Sequence, residues 1–308
     1  MLRPDHRPST PQATEPAPTP PPESLWFALL RLIRFGNQTG TMLLLLPCWW
    51  ALWIASRGVP PLSLLLIFAG GAFLMRSAGV IMNDLTDRRI DRHVRRTAHR
   101  PLAEGSLRPI QALVLLVLLL MAAVGLLFLL PARVWPLAPT AVVLAAIYPW
   151  AKRYVPIPQA ILGLAFGWGV IMAWGSVRES IDAPAWLLYL GTASWAIAYD
   201  TIYAMQDRED DRAIGVRSSA LYFGDRAWLA VLCFQFILLV CVGAAGWLTD
   251  AASLLFTGLV FIAYWLLRLL RDVYSLQMTN EPSKLLSAFG QQVLVGLAIL
   301  GVIILGYW

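Results

Sequence analysis

Apolar runs of about bilayer length dominate this chain, with short polar stretches between them. A helix needs about 20 mostly apolar residues to cross the hydrocarbon core of a membrane. Nine segments have this character: residues 38–56, 61–83, 109–130, 135–150, 159–177, 184–206, 228–248, 252–270 and 285–307. The fourth and fifth are short, and Pro136, Pro149, Pro156 and Pro158 set their limits. Residues 25–37 are expected to form an interfacial segment leading into the first span. The pattern predicts an all-α polytopic membrane protein: nine transmembrane helices around a central cavity, with cytoplasmic cap loops. Residues 1–24 are rich in Pro, Thr and Ser and have no apolar period, so they are expected to form a disordered tail. The tail lacks the apolar centre of a secretory signal peptide. Residues 25–308 are then one intramembrane domain.

Composition supports this reading. The chain is 58% hydrophobic and 14% charged, whereas a soluble domain is about half apolar and about a quarter charged. Its 14 Trp suit a protein with wide interfacial belts. Cys48, Cys233 and Cys241 all lie in apolar runs without CxxC spacing. They predict neither a disulfide framework nor a zinc site.

The distribution of charge sets an orientation. With nine spans, the segments on the N-terminal side carry 20 of the 24 Lys and Arg residues. Only Arg57, Arg133 and Arg178 fall on the other side, and Arg76 lies inside a span. By the positive-inside rule the N-terminus and the large loops are cytoplasmic and the C-terminus is outside. The net charge of +6 is thus accounted for by topology. The basic loops have little aromatic interleaving, which argues against nucleic acid as a partner.

Ten of the 18 acidic residues fall in two places, both on the expected cytoplasmic side after spans two and six. The first holds Asn83-Asp84-Leu85-Thr86-Asp87-Arg88-Arg89-Ile90-Asp91. At helical spacing Asn83, Asp87 and Asp91 form one line of oxygen ligands. The second runs from Asp200 to Asp211, and Tyr203, Asp207 and Asp211 share a face there. Carboxylates stacked at i and i+4 repel one another, so two such stacks call for a shared cation. Mg²⁺ prefers carboxylates, waters and substrate phosphates. Two facing lines would hold Mg²⁺ ions with a diphosphate between them. Arg88, Lys152 and Arg153 are placed to reach leaving-group oxygens. Arg76 is two turns deeper than Asn83 on the same face. A charge there costs about 2.5–3.5 kcal/mol on insertion scales and usually marks function. A guanidinium at that depth suits the carboxylate of a small acceptor; pairing with a buried carboxylate such as Asp200 is the structural alternative.

These residues resemble the UbiA-type intramembrane aromatic prenyltransferases over about residues 31–307. The carriers are the NDxxDxxxD motif at 83–91 and the YxxxDxxxD motif at 203–211. Leu43–Trp50, Arg95–Leu102, Tyr148–Arg153 and Tyr199–Asp207 are similar to the branch that acts on 4-hydroxybenzoate. The resemblance implies that Asn83, Asp87, Asp91, Asp207 and Asp211 are the metal and diphosphate ligands. It implies that Tyr148 and Lys152 contact the diphosphate and that Arg76 holds the benzoate. Branch members usually carry Asp-Lys/Arg-Pro-Ile-Gly where this chain has Gly36-Asn37-Gln38-Thr39-Gly40. Asn37 is the polar residue at that point, and Gly40 remains.

The implied reaction is Mg²⁺-dependent transfer of a polyprenyl group from polyprenyl diphosphate to the ring carbon ortho to the 4-hydroxybenzoate hydroxyl, in ubiquinone biosynthesis. Asp84 or Asp200 would hold the phenol proton or stabilise the allylic cation, with Tyr203 beside them as a further catalytic candidate. The expected location is a bacterial inner membrane. The alternatives are another aromatic acceptor on the same fold (homogentisate or dihydroxynaphthoate) and a transporter built on paired units.

Overall fold

The computed structural model describes residues 24–92, 97–279 and 281–308. The side chains of Pro149, Lys152, Arg153, Asp210, Ile214, Met278, Thr279 and Pro282 lie outside the described set. So do all but the last residue of the expected tail at 1–24, and Arg95 and Arg96.

The described chain is helical throughout. The helices in order are α1 (Leu25–Leu32), α2 (Thr39–Ser56), α3 (Leu62–Asp91), α4 (Pro101–Glu104), α5 (Pro109–Leu127), α6 (Ala138–Tyr154) and α7 (Pro158–Val177). They continue with α8 (Ala183–Gln206), α9 (Arg208–Ile214), α10 (Ser219–Phe223), α11 (Ala227–Leu248), α12 (Ser253–Thr279) and α13 (Pro282–Gly306). Several begin with Pro in the first turn, where its missing N–H costs no helical hydrogen bond: Pro101, Pro109, Pro158, Pro184 and Pro282.

Each expected span coincides with a helix, but seven among the described residues are long and apolar enough to cross a membrane. The other two are α6 and α8. The first is short, and the apolar stretch it belongs to, Ala132–Tyr148, begins in the helical turn before it. The second has 24 residues but is outside the seven. Packing explains α8: it lies against α7, α11, α13 and α2. Most of its length faces protein, so Ser, Thr, Trp and Tyr replace the Leu and Val of a lipid-facing helix. The peripheral helices show the reverse. Leu113, Val117 and Leu118 of α5 and Val260, Phe261 and Tyr264 of α12 are exposed large apolar side chains, as lipid contact requires. The segment before the first span is α1, with Trp26 and Phe27 exposed and Ala28 and Leu32 buried.

The centre of the bundle is held by Trp50, Trp174 and Trp195, all fully buried. The Trp50 and Trp195 rings are 5.1 Å apart. Trp50 Nε1 donates to the Gly296 carbonyl at 3.1 Å. Trp195 Nε1 and Gln235 Nε2 both donate to Gln292 Oε1, at 3.1 and 3.3 Å. These bonds cross-link α2, α8, α11 and α13 between buried residues. Close backbone approach does the same work for α7 and α8. A Cβ added at Gly163 would lie 2.5 Å from the Ala193 carbonyl oxygen. Small residues let membrane helices pack in this way. Gly163→Ala is therefore expected to push α7 from α8 and to lower stability by about 1–3 kcal/mol. An unchanged unfolding transition in detergent would contradict it.

Candidate active site

Helix α3 builds the first half of the site. Its 30 residues extend about 45 Å at a rise of 1.5 Å per residue, beyond a hydrocarbon core of about 30 Å. The surplus is the polar end that carries Asn83, Asp84, Asp87 and Asp91. Arg76 stays within the apolar part. It is half-buried and makes no hydrogen bond or ion pair among the described residues. Its guanidinium lies against the backbone of Gly40 in the first turn of α2. The pairing of Arg76 with Asp200, weighed above as the structural alternative, is not formed.

Tyr148, near the end of α6, is where the halves meet. Its hydroxyl is in electrostatic range of Arg76 and Asp87 from α3, and of Asp200 and Tyr203 from α8. Arg76 is likewise in range of Tyr203 and Asp84. Helices α3, α6 and α8 thus bring together five residues singled out in the sequence at separations of up to 127 positions. Tyr203 also packs edge-on against Phe289 of α13, at 5.1 Å between ring centres.

The second motif differs from a continuous helical line through Tyr203, Asp207 and Asp211. The chain breaks at Asp207, which ends α8 and begins α9. Asp is unfavourable in a helix interior, and the break comes where α8 gives way to the polar run Asp207–Arg212. The Asp211 N–H still donates to the Asp207 carbonyl at 2.8 Å, which holds the two aspartates one turn apart.

Among the described residues no group of three or more His, Cys, Asp and Glu is gathered into a metal cage. Mg²⁺ does not need one, because it keeps waters and binds through one or two carboxylates plus substrate phosphates. The buried Asn83 Oδ1 has no hydrogen-bond partner among the described residues. An unsatisfied buried acceptor is costly, and a hard cation would satisfy this one. On that observation the residues fit Mg²⁺. Asn83 and Asp87 on α3, and Asp207 and Asp211 at the α8–α9 break, could hold it.

Asp84 and Asp91 are engaged elsewhere. Arg34 grips Asp84 with Nη2, 3.1 Å from Oδ1 and 2.9 Å from Oδ2. Arg100 Nη1 donates to Asp84 Oδ1 at 3.0 Å and to Asp91 Oδ2 at 2.9 Å. Both carboxylates are buried, with side-chain exposures of 1% and 9%, so in this arrangement they serve as anchors for arginines. The clamp joins the turn after α1, the end of α3 and the segment before α4. Thr97 Oγ1 donates to the Asp91 carbonyl at 3.0 Å, and Arg92 Nε to the Ala103 carbonyl at 2.9 Å. Arg34 sits at a positive φ of 57°, a conformation uncommon outside glycine.

Arg34 and Arg100 are residues of this site that the sequence alone does not single out. In sequence Arg34 is only part of the basic side and Arg100 only part of the stretch Arg95–Leu102, and no local spacing reveals that they converge on Asp84. Arg88 is half-buried at the end of α3. Asn37 is exposed, and its Oδ1 accepts from the Thr39 N–H at 3.1 Å, so it ties down the start of α2. Lys152 and Arg153 lie outside the described side chains.

An all-helical membrane bundle with two aspartate motifs at one end of its helices defines an intramembrane prenyltransferase, and the chain belongs to the UbiA prenyltransferase family, whose profile matches residues 44–306. It is 41% identical over 286 residues to a 4-hydroxybenzoate octaprenyltransferase of Serratia proteamaculans, covering 93% of this chain and 97% of that one. It is 45% identical over 251 residues to the enzyme of the same description from Tolumonas auensis, covering 79% and 87%. The fold matches a UbiA homolog from Aeropyrum pernix K1 with TM-score 0.71 at 24% identity, over 86% of this chain and 97% of that one. It also matches a UbiA homolog from Archaeoglobus fulgidus bound to DMAPP and Mg²⁺, with TM-score 0.62 at 16% identity, over 90% and 99%.

Proposed function

We infer that this chain transfers a polyprenyl group from polyprenyl diphosphate to 4-hydroxybenzoate, as an Mg²⁺-dependent step in ubiquinone biosynthesis. The observation that carries the reading is on α3, where the Arg76 guanidinium, with no hydrogen bond or ion pair among the described residues, lies two turns below the Asn83 oxygen that is likewise unsatisfied among them. One suits an acceptor carboxylate and the other a metal-bound diphosphate. The identity to 4-hydroxybenzoate octaprenyltransferases over most of the chain supports the acceptor.

Bound Mg²⁺ would draw negative charge onto the diphosphate and ease rupture of the allylic C–O bond. Asn83, Asp87, Asp207 and Asp211 orient that head group. Asp91 joins them only by releasing Arg100. Arg88 and Tyr148 are assigned to the leaving-group oxygens, and stabilising charge that develops there is the main lever of such a site. Arg76 holds the carboxylate so that the ring carbon ortho to the hydroxyl faces the allylic carbon. Attack forms the C–C bond, and loss of the ring proton restores aromaticity. Asp200, close to Tyr148 and Tyr203, is the carboxylate we assign to the phenol side. Asp84 contributes through Arg34 and Arg100. Charge counting supports a cytoplasmic N-terminus and cytoplasmic aspartate motifs, and the bacterial sources of the relatives support an inner membrane; on that face diphosphate and benzoate would arrive from water.

Purified protein in detergent, given a polyprenyl diphosphate and 4-hydroxybenzoate, is expected to form prenylated benzoate with Mg²⁺ and none after EDTA. Restoring Mg²⁺ should restore turnover. No product with Mg²⁺ present would overturn the acceptor, and equal product in EDTA would overturn the metal.

A further inference from the structure

We propose that Gly40 is a positioning residue: its bare backbone is the seat that fixes the depth of the Arg76 guanidinium, and so sets the requirement for a carboxylate on the acceptor. The inference rests on the function proposed above and adds a residue to it.

The geometry is steric. A Cβ placed on Gly40 would overlap Arg76 Nε and come 2.9 Å from Nη2 and 3.0 Å from Cζ. These are the functional atoms of the guanidinium, so even one methyl group must displace them or the α2 backbone. The backbone is the stiffer of the two. Asn37 Oδ1 accepts from the Thr39 N–H at 3.1 Å. Gln38 Nε2 donates to the Phe35 carbonyl at 2.9 Å, and Thr41 Oγ1 donates to Gln38 Oε1 at 2.7 Å. These bonds tie down the residues on either side of Gly40, leaving the long Arg76 side chain to move. Arg76 has no hydrogen bond or ion pair of its own among the described residues to hold it in place, so the contact with Gly40 is the close steric limit on where its guanidinium sits. Gly40 lies in the first turn of α2 without a positive φ, and Ala is a better helix former than Gly. The substitution therefore disturbs Arg76 without unfolding the helix.

The test compares wild type, Gly40→Ala, Arg76→Lys and the double variant, with Gly79→Ala as a control because a Cβ at Gly79 meets nothing within 4 Å. Steady-state prenyl transfer gives KM for 4-hydroxybenzoate and for the diphosphate. Inhibition by benzoate and by phenol separates the carboxylate from the ring. Gly40→Ala is expected to raise KM for 4-hydroxybenzoate and Ki for benzoate by about 10-fold to 100-fold, the weight of a charge-assisted hydrogen bond. KM for the diphosphate and Ki for phenol should stay within about twofold, since neither ligand engages the displaced charge. The Gly40→Ala effect should shrink in the Arg76→Lys background. An unchanged KM for 4-hydroxybenzoate, an equal loss for phenol, or additive effects of the two substitutions would each overturn the proposal while leaving prenyl transfer intact. Absence of transfer to 4-hydroxybenzoate by the wild type would instead overturn the function on which it rests.

Discussion

Asp87→Asn and Asp207→Asn enzymes are expected to lose about 10²–10³-fold in kcat each, the cost of removing one group that stabilises transition-state charge in a preorganised site. Asn keeps the size and one acceptor oxygen of Asp, so the loss reports charge. Asp87 is in electrostatic range of Tyr148, on the helix that carries the unsatisfied Asn83 oxygen. Asp207 stands at the break between α8 and α9. Both variants should also need more Mg²⁺ for half-maximal rate, because each removes a carboxylate that the hard cation prefers. Glu209→Gln, at an exposed position beside Asp207, should retain turnover. Full activity of Asp87→Asn or Asp207→Asn at an unchanged Mg²⁺ requirement would remove the aspartates from the metal site.

The second large effect is on stability. Arg100→Ala leaves Asp91 without the Arg100 ion pair and Asp84 with Arg34 alone. Breaking a buried ion pair by removing one partner costs about 3–5 kcal/mol, since a desolvated charge is left behind. Asp84 is 1% exposed and Arg100 19%, so solvent offers little relief. Arg31→Ala is the internal comparison. Its pair with Glu104 has exposures of 42% and 31%, and exposed pairs contribute about 0–1 kcal/mol. Equilibrium unfolding in micelles should rank Arg100→Ala well below Arg31→Ala. Equal stabilities would show that the clamp carries no weight. Arg100→Lys should rescue in part: both contacts come from the single Nη1 nitrogen, whose charge an ammonium can replace, but the ammonium is more strongly hydrated and sits on a more flexible stem.

The fold was legible because hydrocarbon length imposes itself on sequence. Apolar runs such as 109–130 and 228–248 coincide with α5 and α11. The central place of α8 was not legible, since hydropathy reports the need to face lipid and α8 mostly faces other helices. The break at Asp207 was hidden for a related reason. Helical spacing shows which residues would share a face if the helix continued, and nothing local announces that it stops. In the site, the motif residues stood out because carboxylates at i and i+4 repel and so require a reason. The Arg34 and Arg100 partners of Asp84 lie 50 and 16 residues away in sequence. An arginine on the basic side of a membrane protein already has an explanation, which masked its second role. Gly40 and Arg76 show the same limit, since a contact between α2 and α3 leaves no spacing to read.

The low hydropathy of α8 has a consequence for how the chain is made. Transfer of a helix from the translocon into lipid is governed by its own side chains, and α8 carries Thr, Ser and Tyr along its length and an aspartate, Asp200, in its last third. Alone, α8 is the long helix least suited to that transfer. Its partner α7 is synthesised just before it, separated by a short turn at residues 178–182, and the two share an extensive interface with Gly163 and Ala193 in close contact. The helix that carries Asp200 and Tyr203 thus gains a protein surface at the moment it would otherwise meet acyl chains, and the order of synthesis itself shelters the residues that make α8 useful.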